Sequence, residues 1–512
     1  MISTITTANV SGIDAHKITV EVDMVNSIPA IVIVGLPDAA ISEAKERVRS
    51  AIKNSGFMIP PKKIIVNLAP ADLKKEGTNF DLPIAVGIVS QFTFLDFREM
   101  EKYAFIGEVS LDGTLRPVTG ILPIVSGIKD FGFSKIIVPF ENAKEAALIP
   151  DLEVYAAKNL AQVINHFAFD KDAEIADLER CQNDSTTLVL SENDSFEYDF
   201  KDVKGQFKAK KAMELAAAGA HNLLMVGSPG SGKTLLAKCF CSILPPLSFD
   251  EAIELTKIYS VSGMLSPSSP LISQRPFRIV HHSASSVGIT GGGTNPKPGE
   301  ITLAHRGVLF LDEMVEFPRA VLEVLRQPLE DNEIVISRSQ MRVKYPANFI
   351  LIGAMNPCPC GYYGDTKIPC KCSETMISRY RSRLSGPLLD RIDIQIEVPR
   401  LSPEELVNMN TDAESSSKIR ERVIVAREIQ TKRFKGTNLK TNADLNSKNI
   451  KKHCKLDPEG EALLKNAAAG FNISGRGFDR ILKLARTIAD LNEKDNIQTE
   501  HIAQSLQYRN IM

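Results

Sequence analysis

The chain has 512 residues, 43% hydrophobic and 24% charged, and its 61 basic and 62 acidic side chains leave a net charge of −1. That balance excludes a globally basic nucleic-acid binder, although opposite charge elsewhere can mask a local basic channel. No apolar run reaches the roughly 20 residues that span a bilayer, and Met1-Ile2-Ser3-Thr4 lacks the basic segment and apolar core of a secretory signal. Four of the eight cysteines cluster at 358, 360, 370 and 372 and the other four are dispersed, which is not a secreted disulfide framework. A cytoplasmic protein without a membrane segment is expected. At about 150 residues per domain, it should have roughly three domains.

Residues 1–167 read as a first, α+β unit. Ile18-Thr19-Val20-Glu21-Val22-Asp23 alternates as a half-buried strand does, and Ala30-Ile31-Val32-Ile33-Val34 is a solid apolar run. Gly35-Leu36-Pro37-Asp38 then turns into a helix over 39–54. Two further stretches organise the unit: Lys74-Lys75-Glu76-Gly77-Thr78-Asn79-Phe80-Asp81-Leu82-Pro83, and the run from Phe105-Ile106-Gly107-Glu108 to Leu115-Arg116-Pro117-Val118. Both resemble the proteolytic domain of Lon-type proteases, a ribosomal protein S5 domain 2-like fold, and the resemblance covers most of residues 1–167. The position matching that family's serine nucleophile is Asn79, and the position matching its lysine base falls near Pro123. An amide nitrogen is not a usable nucleophile and proline offers no base. The resemblance therefore implies a retained fold that is proteolytically inactive; the alternative is a displaced dyad using another Ser/Lys pair. Residues 168–200 are acidic, with a short apolar island at Leu188-Val189-Leu190, and read as a solvated linker.

Residues 201–398 carry the chemistry. Asp202-Val203-Lys204-Gly205-Gln206 leads into a helix over 207–219, and Asn222-Leu223-Leu224 into a buried strand. Gly227-Ser228-Pro229-Gly230-Ser231-Gly232-Lys233-Thr234 follows, and Leu235 opens a helix. Strand, glycine-rich loop, Gly-Lys-Thr and helix are the context of a phosphate-binding loop. Glycines let backbone N–H groups face phosphate oxygens, Lys233 neutralises the β and γ oxygens of ATP, and Thr234 offers a hydroxyl to Mg²⁺. Val308-Leu309-Phe310-Leu311 then reads as a buried parallel strand ending in Asp312-Glu313. Asp312 can hold Mg²⁺ through water, and Glu313 can take the proton of an attacking water. The strand 349–355 ends in Asn356, a candidate γ-phosphate sensor; capping of the next turn is the alternative. Arg391, just before the strand Ile394-Gln395-Ile396-Glu397-Val398, is the candidate cation supplied across a subunit boundary, with an Arg391–Asp salt bridge as the competing reading.

Residues 399–512 are helical in pattern. Pro403-Glu404-Glu405-Leu406 opens one helix, 416–434 and the stretch from Glu459 give two more, and Ser474 caps another that carries Arg476 and Arg480. Either arginine can reach bound nucleotide from a lid.

These landmarks, in this order, resemble the magnesium-chelatase-like AAA+ ATPases of the YifB/ComM family, end to end. Further matching stretches are Ala216-Ala217-Ala218-Gly219-Ala220-His221, Arg275-Pro276-Phe277-Arg278 with His281-His282, Lys297-Pro298-Gly299-Glu300-Ile301, Ala304-His305-Arg306-Gly307 and Asn356-Pro357-Cys358-Pro359-Cys360-Gly361. The resemblance implies an α/β fold: an AAA+ P-loop core with a C-terminal helical lid, preceded by the Lon-protease-like domain. It implies a homo-hexameric ring and, in the ComM branch, a helicase acting on single-stranded and branched DNA to drive branch migration in natural transformation. The sensor, finger and lid roles of Asn356, Arg391 and Arg476 rest partly on it. One departure is Ser228, where the family often has the first proline of Pro-Pro-Gly.

Two insertions interrupt the core. Residues 254–300 hold Arg275, Arg278 and Lys297, and residues 331–345 read as a hairpin carrying Arg338, Arg342 and Lys344. Flexible basic elements suit a channel gripping DNA phosphates, whereas a charged edge hairpin is the plainer alternative. Cys358, Cys360, Cys370 and Cys372 pair as C-x-C twice, a pattern of intermediate specificity for Zn²⁺; reduced thiols packed beside Asn356 are the alternative. An AAA+ motor subunit of a metal-chelatase-like or protein-remodelling complex competes with the DNA motor.

Overall fold

The computed structural model describes residues 2–181, 196–266, 269–293, 296–338, 341–365, 367–401, 413–470 and 473–509. They form two compact units, Met1–Ser191 with Phe249–Ile272, and Glu192–Ser248 with Ser273–Met512. Among the described residues no helix is long and apolar enough to cross a membrane.

In the first unit β1 (Ser3–Ser11) and β2 (Asp14–Val25) form an antiparallel pair, with Ile5 opposite Val20. β3 (Ala30–Val34) leads to α1 (Ala39–Asn54), which starts where Asp38 accepts a bond from the Ile41 N–H at 2.8 Å. β4 (Lys63–Ala69), α2 (Asp81–Val89), β5 (Tyr103–Phe105), α3 (Ile121–Asp130), β6 (Lys135–Pro139), β7 (Glu153–Ala157) and β8 (Glu179–Cys181) follow. They build a mixed eight-stranded sheet in the order β8-β7-β6-β5-β1-β2-β4-β3. The alternation expected of 18–23 holds: Ile18, Val20 and Val22 are buried while Thr19 and Glu21 face outward. α2 is buried all round, and its one charge, Asp81, is met by a two-pronged bond from Arg47 on α1 at 3.0 and 3.1 Å.

Two parts of the chain lie elsewhere than expected. Residues 179–181, expected as linker, extend the sheet as β8 against β7. The helix Phe249–Ser262 belongs to this first unit, where Lys257 donates to Ser126 on α3 at 2.7 Å. The island at 188–190 and the helix start at 403–406 fall outside the described residues.

The second unit is built on α4 (Phe207–Gly219), β9 (Leu223–Val226), α5 (Lys233–Cys239), β10 (Phe277–Val280), β11 (Val308–Leu311), the hairpin β12 (Glu333–Arg338) and β13 (Met341–Pro346), β14 (Ile350–Met355) and β15 (Ile394–Glu397). Five strands form a wholly parallel sheet in the order β10-β11-β14-β9-β15. β9, β11 and β14 are apolar and buried along their whole length, because helices cover both faces of a parallel sheet. β9 is first in sequence but lies between β14 and β15, so connections diverge at its carboxyl end, the place where such sheets bind ligands.

The C-terminal helices are α6 (Ser416–Arg433), α7 (Pro458–Gly470), α8 (Gly475–Leu491) and α9 (Thr499–Leu506). Ser474 caps α8 by accepting from the Gly477 N–H at 3.1 Å, and Ile481, Leu484, Ala485 and Ile488 line its buried face. Buried Asp490 accepts from Arg486 at 2.9 Å and Asn442 at 2.8 Å and pairs with Arg433. His221, at the start of β9, bridges Asp393 at 3.2 Å and Thr487 at 2.8 Å. Against the desolvation that burial imposes, Arg480 and His221 hold the Asp393 carboxyl below its ordinary range. The strand-start edge of the sheet is thereby fastened to α8.

Replacing Asp490 with alanine leaves two guanidinium groups without their shared acceptor and should lower stability by about 3–5 kcal/mol, the usual cost of breaking a buried pair. Urea denaturation followed by circular dichroism measures it; a loss below about 1 kcal/mol contradicts this assignment.

Candidate nucleotide-binding site

The loop after β9 is held by its own backbone. Gly227 donates to Met355 O at 3.2 Å, tying the loop to the end of β14. Gly230 and Gly232 take φ of 76° and 91°, the left-handed region that side chains disfavour, and so turn the chain into α5. Lys233 Nζ donates to Gly227 O at 2.7 Å and Ser228 O at 3.0 Å and reaches Asn356 Oδ1 at 3.5 Å. Burial lowers its pKa, opposed by Asp312 and Glu313. Asn356 follows β14 directly and so shares the Lys233 ammonium. Gln206 had no expected role. Its amide nitrogen donates to Ser231 O at 3.3 Å and Pro399 O at 2.7 Å, fixing the loop against the segment after β15.

β11 delivers Asp312 and Glu313 beside this loop. Thr234 Oγ1 lies 3.0 Å from Asp312 Oδ2. The Thr234 hydroxyl donates to Asp312 across this distance, so a hydroxyl and a carboxylate stand side by side, oxygen donors of the kind that would hold Mg²⁺. Glu313 has φ of 51° and a half-exposed carboxylate 3.5 Å from His282 Nδ1. Val280 of β10 pairs in register with Leu311 of β11, so His282 and Glu313 each stand two residues beyond one rung. The His282 ring also lies against that of His281, tilted by 34° with ring centres 4.1 Å apart. The spacing of His282 from its strand was the available signal for this contact.

The arginines lie elsewhere. Arg391 precedes β15, and Leu223 pairs with Ile394 at the strand starts while the phosphate loop leaves at Val226, beside Glu397. Four residues at a rise of about 3.3 Å separate the two edges by about 13 Å. Arg391, expected to be offered to a neighbouring subunit, has a side chain only 9% exposed. It donates to Pro387 O at 2.7 Å and to Glu330. The competing salt bridge is thus present, with glutamate rather than aspartate. Arg476, expected to reach bound nucleotide from a lid, is exposed on the same strand-start edge, lining a cavity of about 350 Å³ with Asn222, Glu330, Arg391 and Arg480. Arg480 is paired with Asp393 at 2.6 Å. α8, which carries both arginines, is fastened to the edge opposite its own chain's phosphate loop.

Two DNA candidates are also corrected. Residues 275–278 run into the core strand β10 rather than a flexible insertion. There Arg275 donates to Pro245 O and Arg306 O, both at 2.7 Å, and to Pro246 O at 3.1 Å. Arg278 forms a two-pronged pair with Glu300 at 2.7 and 2.8 Å. Both guanidinium groups hold the fold. β12 and β13 form the expected hairpin, with Val335 opposite Lys344. Arg342 is exposed, Lys344 pairs with Glu333 at 3.1 Å, and the Arg338 side chain lies outside the described residues. Cys358, Cys360, Cys370 and Cys372 bring their sulfur atoms within 4.8 Å of one another. N–H groups of Lys371 and Tyr362 lower the pKa of the Cys360 thiol, whereas Cys370 and Cys372, against the N–H bonds that those two accept, are pushed up by burial and the neighbouring cysteines.

In the first unit Asn79 is buried and donates to Ala8 O at 3.0 Å, and Pro123 is buried within α3. The Ser126–Lys257 contact joins two packed helices, with the lysine pKa lowered by burial and opposed by Asp130, Asp14 and Glu254.

Family models describing magnesium chelatase subunit ChlI match residues 199–406 and 20–142, and one for its C-terminal part matches 413–509. The chain is 44% identical over 97% of its length to 95% of Competence protein ComM of Haemophilus influenzae. It is 42% identical over 98% of its length to 95% of the protein YifB of Escherichia coli. The magnesium-chelatase 38 kDa subunit of Cereibacter sphaeroides is 26% identical over 31% of this chain and 53% of its own length.

Lys233→Ala should weaken binding of a fluorescent ATP analogue at least about tenfold by removing a charge-assisted hydrogen bond to phosphate, with circular dichroism unchanged. Binding equal to the parent contradicts the assignment of the loop.

Proposed function

Since the chain belongs to the magnesium-chelatase-like AAA+ family that includes ComM and YifB, we propose that it is an ATP-hydrolysing ring motor acting on DNA. The observation carrying the reading is the meeting of Lys233, Thr234, Asp312, Glu313 and Asn356 at the strand ends. Thr234 and Asp312 would hold Mg²⁺, which supplies charge neutralisation at the transferred phosphate. Glu313 accepts the proton of the attacking water, His282 orients that carboxylate, and Asn356 senses the γ-phosphate. Simple nucleotide storage needs no carboxylate in the place of Glu313.

Arg391 and Arg476 serve the neighbouring subunit's nucleotide. Support comes from their strand-start position, which is remote from their own phosphate loop. In this reading Arg391 exchanges Glu330 for phosphate when the ring assembles as a hexamer. The substrate is single-stranded and branched DNA, in keeping with the competence role in the name of the H. influenzae relative. Arg342 and Lys344 on the hairpin grip its phosphates. The first unit is read as a Lon-like domain without protease activity, because Asn79 and Pro123 stand where the dyad would be, and the C-terminal helices are read as the lid. A metal-chelatase role is the second reading; the magnesium-chelatase 38 kDa subunits match 31% and 41% of the chain at 26% and 25% identity.

ATP turnover with and without branched DNA tests the proposal. DNA should raise turnover several-fold, and Glu313→Gln should lower it by about 100-fold or more, the contribution of general-base catalysis, while nucleotide still binds. Turnover indifferent to DNA would transfer the chain to the chelatase-like or protein-remodelling reading. Charge reversal at Arg342 and Lys344 should reduce the salt slope of single-strand binding by about 0.7 for each phosphate that the hairpin no longer neutralises. Basal turnover should persist; an unchanged slope returns the hairpin to a charged edge.

A further inference from the structure

The four clustered cysteines are joined to the phosphate loop by two interactions that ATP chemistry does not require. Their sulfur atoms stand 3.4 Å (Cys358–Cys360), 3.7 Å (Cys358–Cys370) and 3.6 Å (Cys360–Cys370) apart, and all four lie within 4.8 Å of one another. A tetrahedral Zn²⁺ with bonds of about 2.3 Å needs sulfurs about 3.8 Å apart. The Tyr363 N–H points at Cys358 Sγ at 3.3 Å and the Cys372 N–H at Cys370 Sγ at 3.4 Å, so backbone bonds hold the sulfur atoms in place. The donor set suits a soft, four-coordinate ion and offers no open position for substrate.

The loop closed by these cysteines leans on the nucleotide site. Gly361 has φ of 84°, and a Cβ there would lie 2.7 Å from Pro229 Cδ, so the two residues are in direct contact. Asp365, between the cysteine pairs, accepts the Ser228 hydroxyl at 3.0 Å. Its other oxygen accepts the N–H groups of Lys367 at 2.8 Å and Ile368 at 3.1 Å, which fix its direction. Ser228 is the residue that departs from the family's proline, and a proline there could not make this bond. The loop starts at Cys358, with only Pro357 between it and Asn356.

We propose that Cys358, Cys360, Cys370 and Cys372 bind one structural Zn²⁺, and that the loop so closed braces the phosphate loop through Gly361 on Pro229 and Asp365 on Ser228. Metal occupancy then sets nucleotide affinity. Without the ion nothing ties the two cysteine pairs together, and the loop no longer holds Gly361 and Asp365 against Pro229 and Ser228. The inference rests on reading the phosphate loop as an ATP site.

The test uses the full chain purified without chelator. Elemental analysis should find about one equivalent of zinc. Removing it with a chelator should weaken binding of a fluorescent ATP analogue about tenfold, and added zinc should restore it. Asp365→Ala should keep the zinc and show the same loss of affinity, which separates the brace from the metal and avoids a cysteine variant that fails to fold. Less than about half an equivalent of zinc overturns the site. Zinc present with affinity indifferent both to its removal and to Asp365→Ala overturns the brace. If Lys233→Ala and the parent bind nucleotide equally, the ATP reading has failed as well as the brace, and the zinc count still decides the site.

Discussion

All five strands of the second unit's large sheet run the same way, and that direction sorts its charges. The carboxyl ends release the phosphate loop, Asp312 and Glu313, and Asn356 onto one edge. The amino ends hold His221, Asp393, Arg391 and the start of α8 on the other. A strand of four residues is long enough to keep the two sets about 13 Å apart. Arg391 and Arg476 therefore lie on the edge opposite the Glu313 carboxylate of their own chain. The buried clamp of His221 between Asp393 and Thr487 is what fixes α8 to the arginine edge.

The same sheet explains why the nucleotide edge is rigid where it is polar. Thr234 and Asp312 meet because α5 and β11 are each set by apolar burial; Leu236, Phe310 and Leu311 are buried. Around them, polar interactions from distant segments fix the loop: Gln206 on one side, Asp365 on the other. The phosphate loop is thus positioned by side chains that lie before and after it by many residues. Its geometry belongs to the whole unit, not to the Gly-Lys-Thr motif alone.

What is legible in the sequence follows from range. Motifs whose parts are a few residues apart, such as Gly230 to Thr234 or Leu311-Asp312-Glu313, announce a turn or a strand end through φ preference and burial, although distant side chains then fix the loop. The strands at 30–34, 350–355 and 394–397 and the helices at 39–54 and 207–219 likewise carry their periodicity locally. Long-range pairings are not legible. Nothing near Arg391 announces Glu330, and nothing near Arg275 announces the carbonyls of Pro245 and Arg306. An arginine in a glycine- and histidine-rich stretch reads as a surface cation until the strand beside it is known to be β10. Sequence adjacency places residues 249–272 with the nucleotide core and 179–181 in a linker, whereas both segments pack in the first unit.

In the proposed motor, one active site takes its base from one subunit and its arginines from another. Mixing two variants tests this directly. One protein carries Glu313→Gln and the other carries Arg391→Ala with Arg476→Ala, each turning over ATP poorly alone. In a mixed ring, some sites pair the intact carboxylate of one chain with the intact arginines of its neighbour, so the account predicts ATP turnover above the sum of the separate proteins. Turnover equal to that sum, with mixed assembly demonstrated, contradicts it.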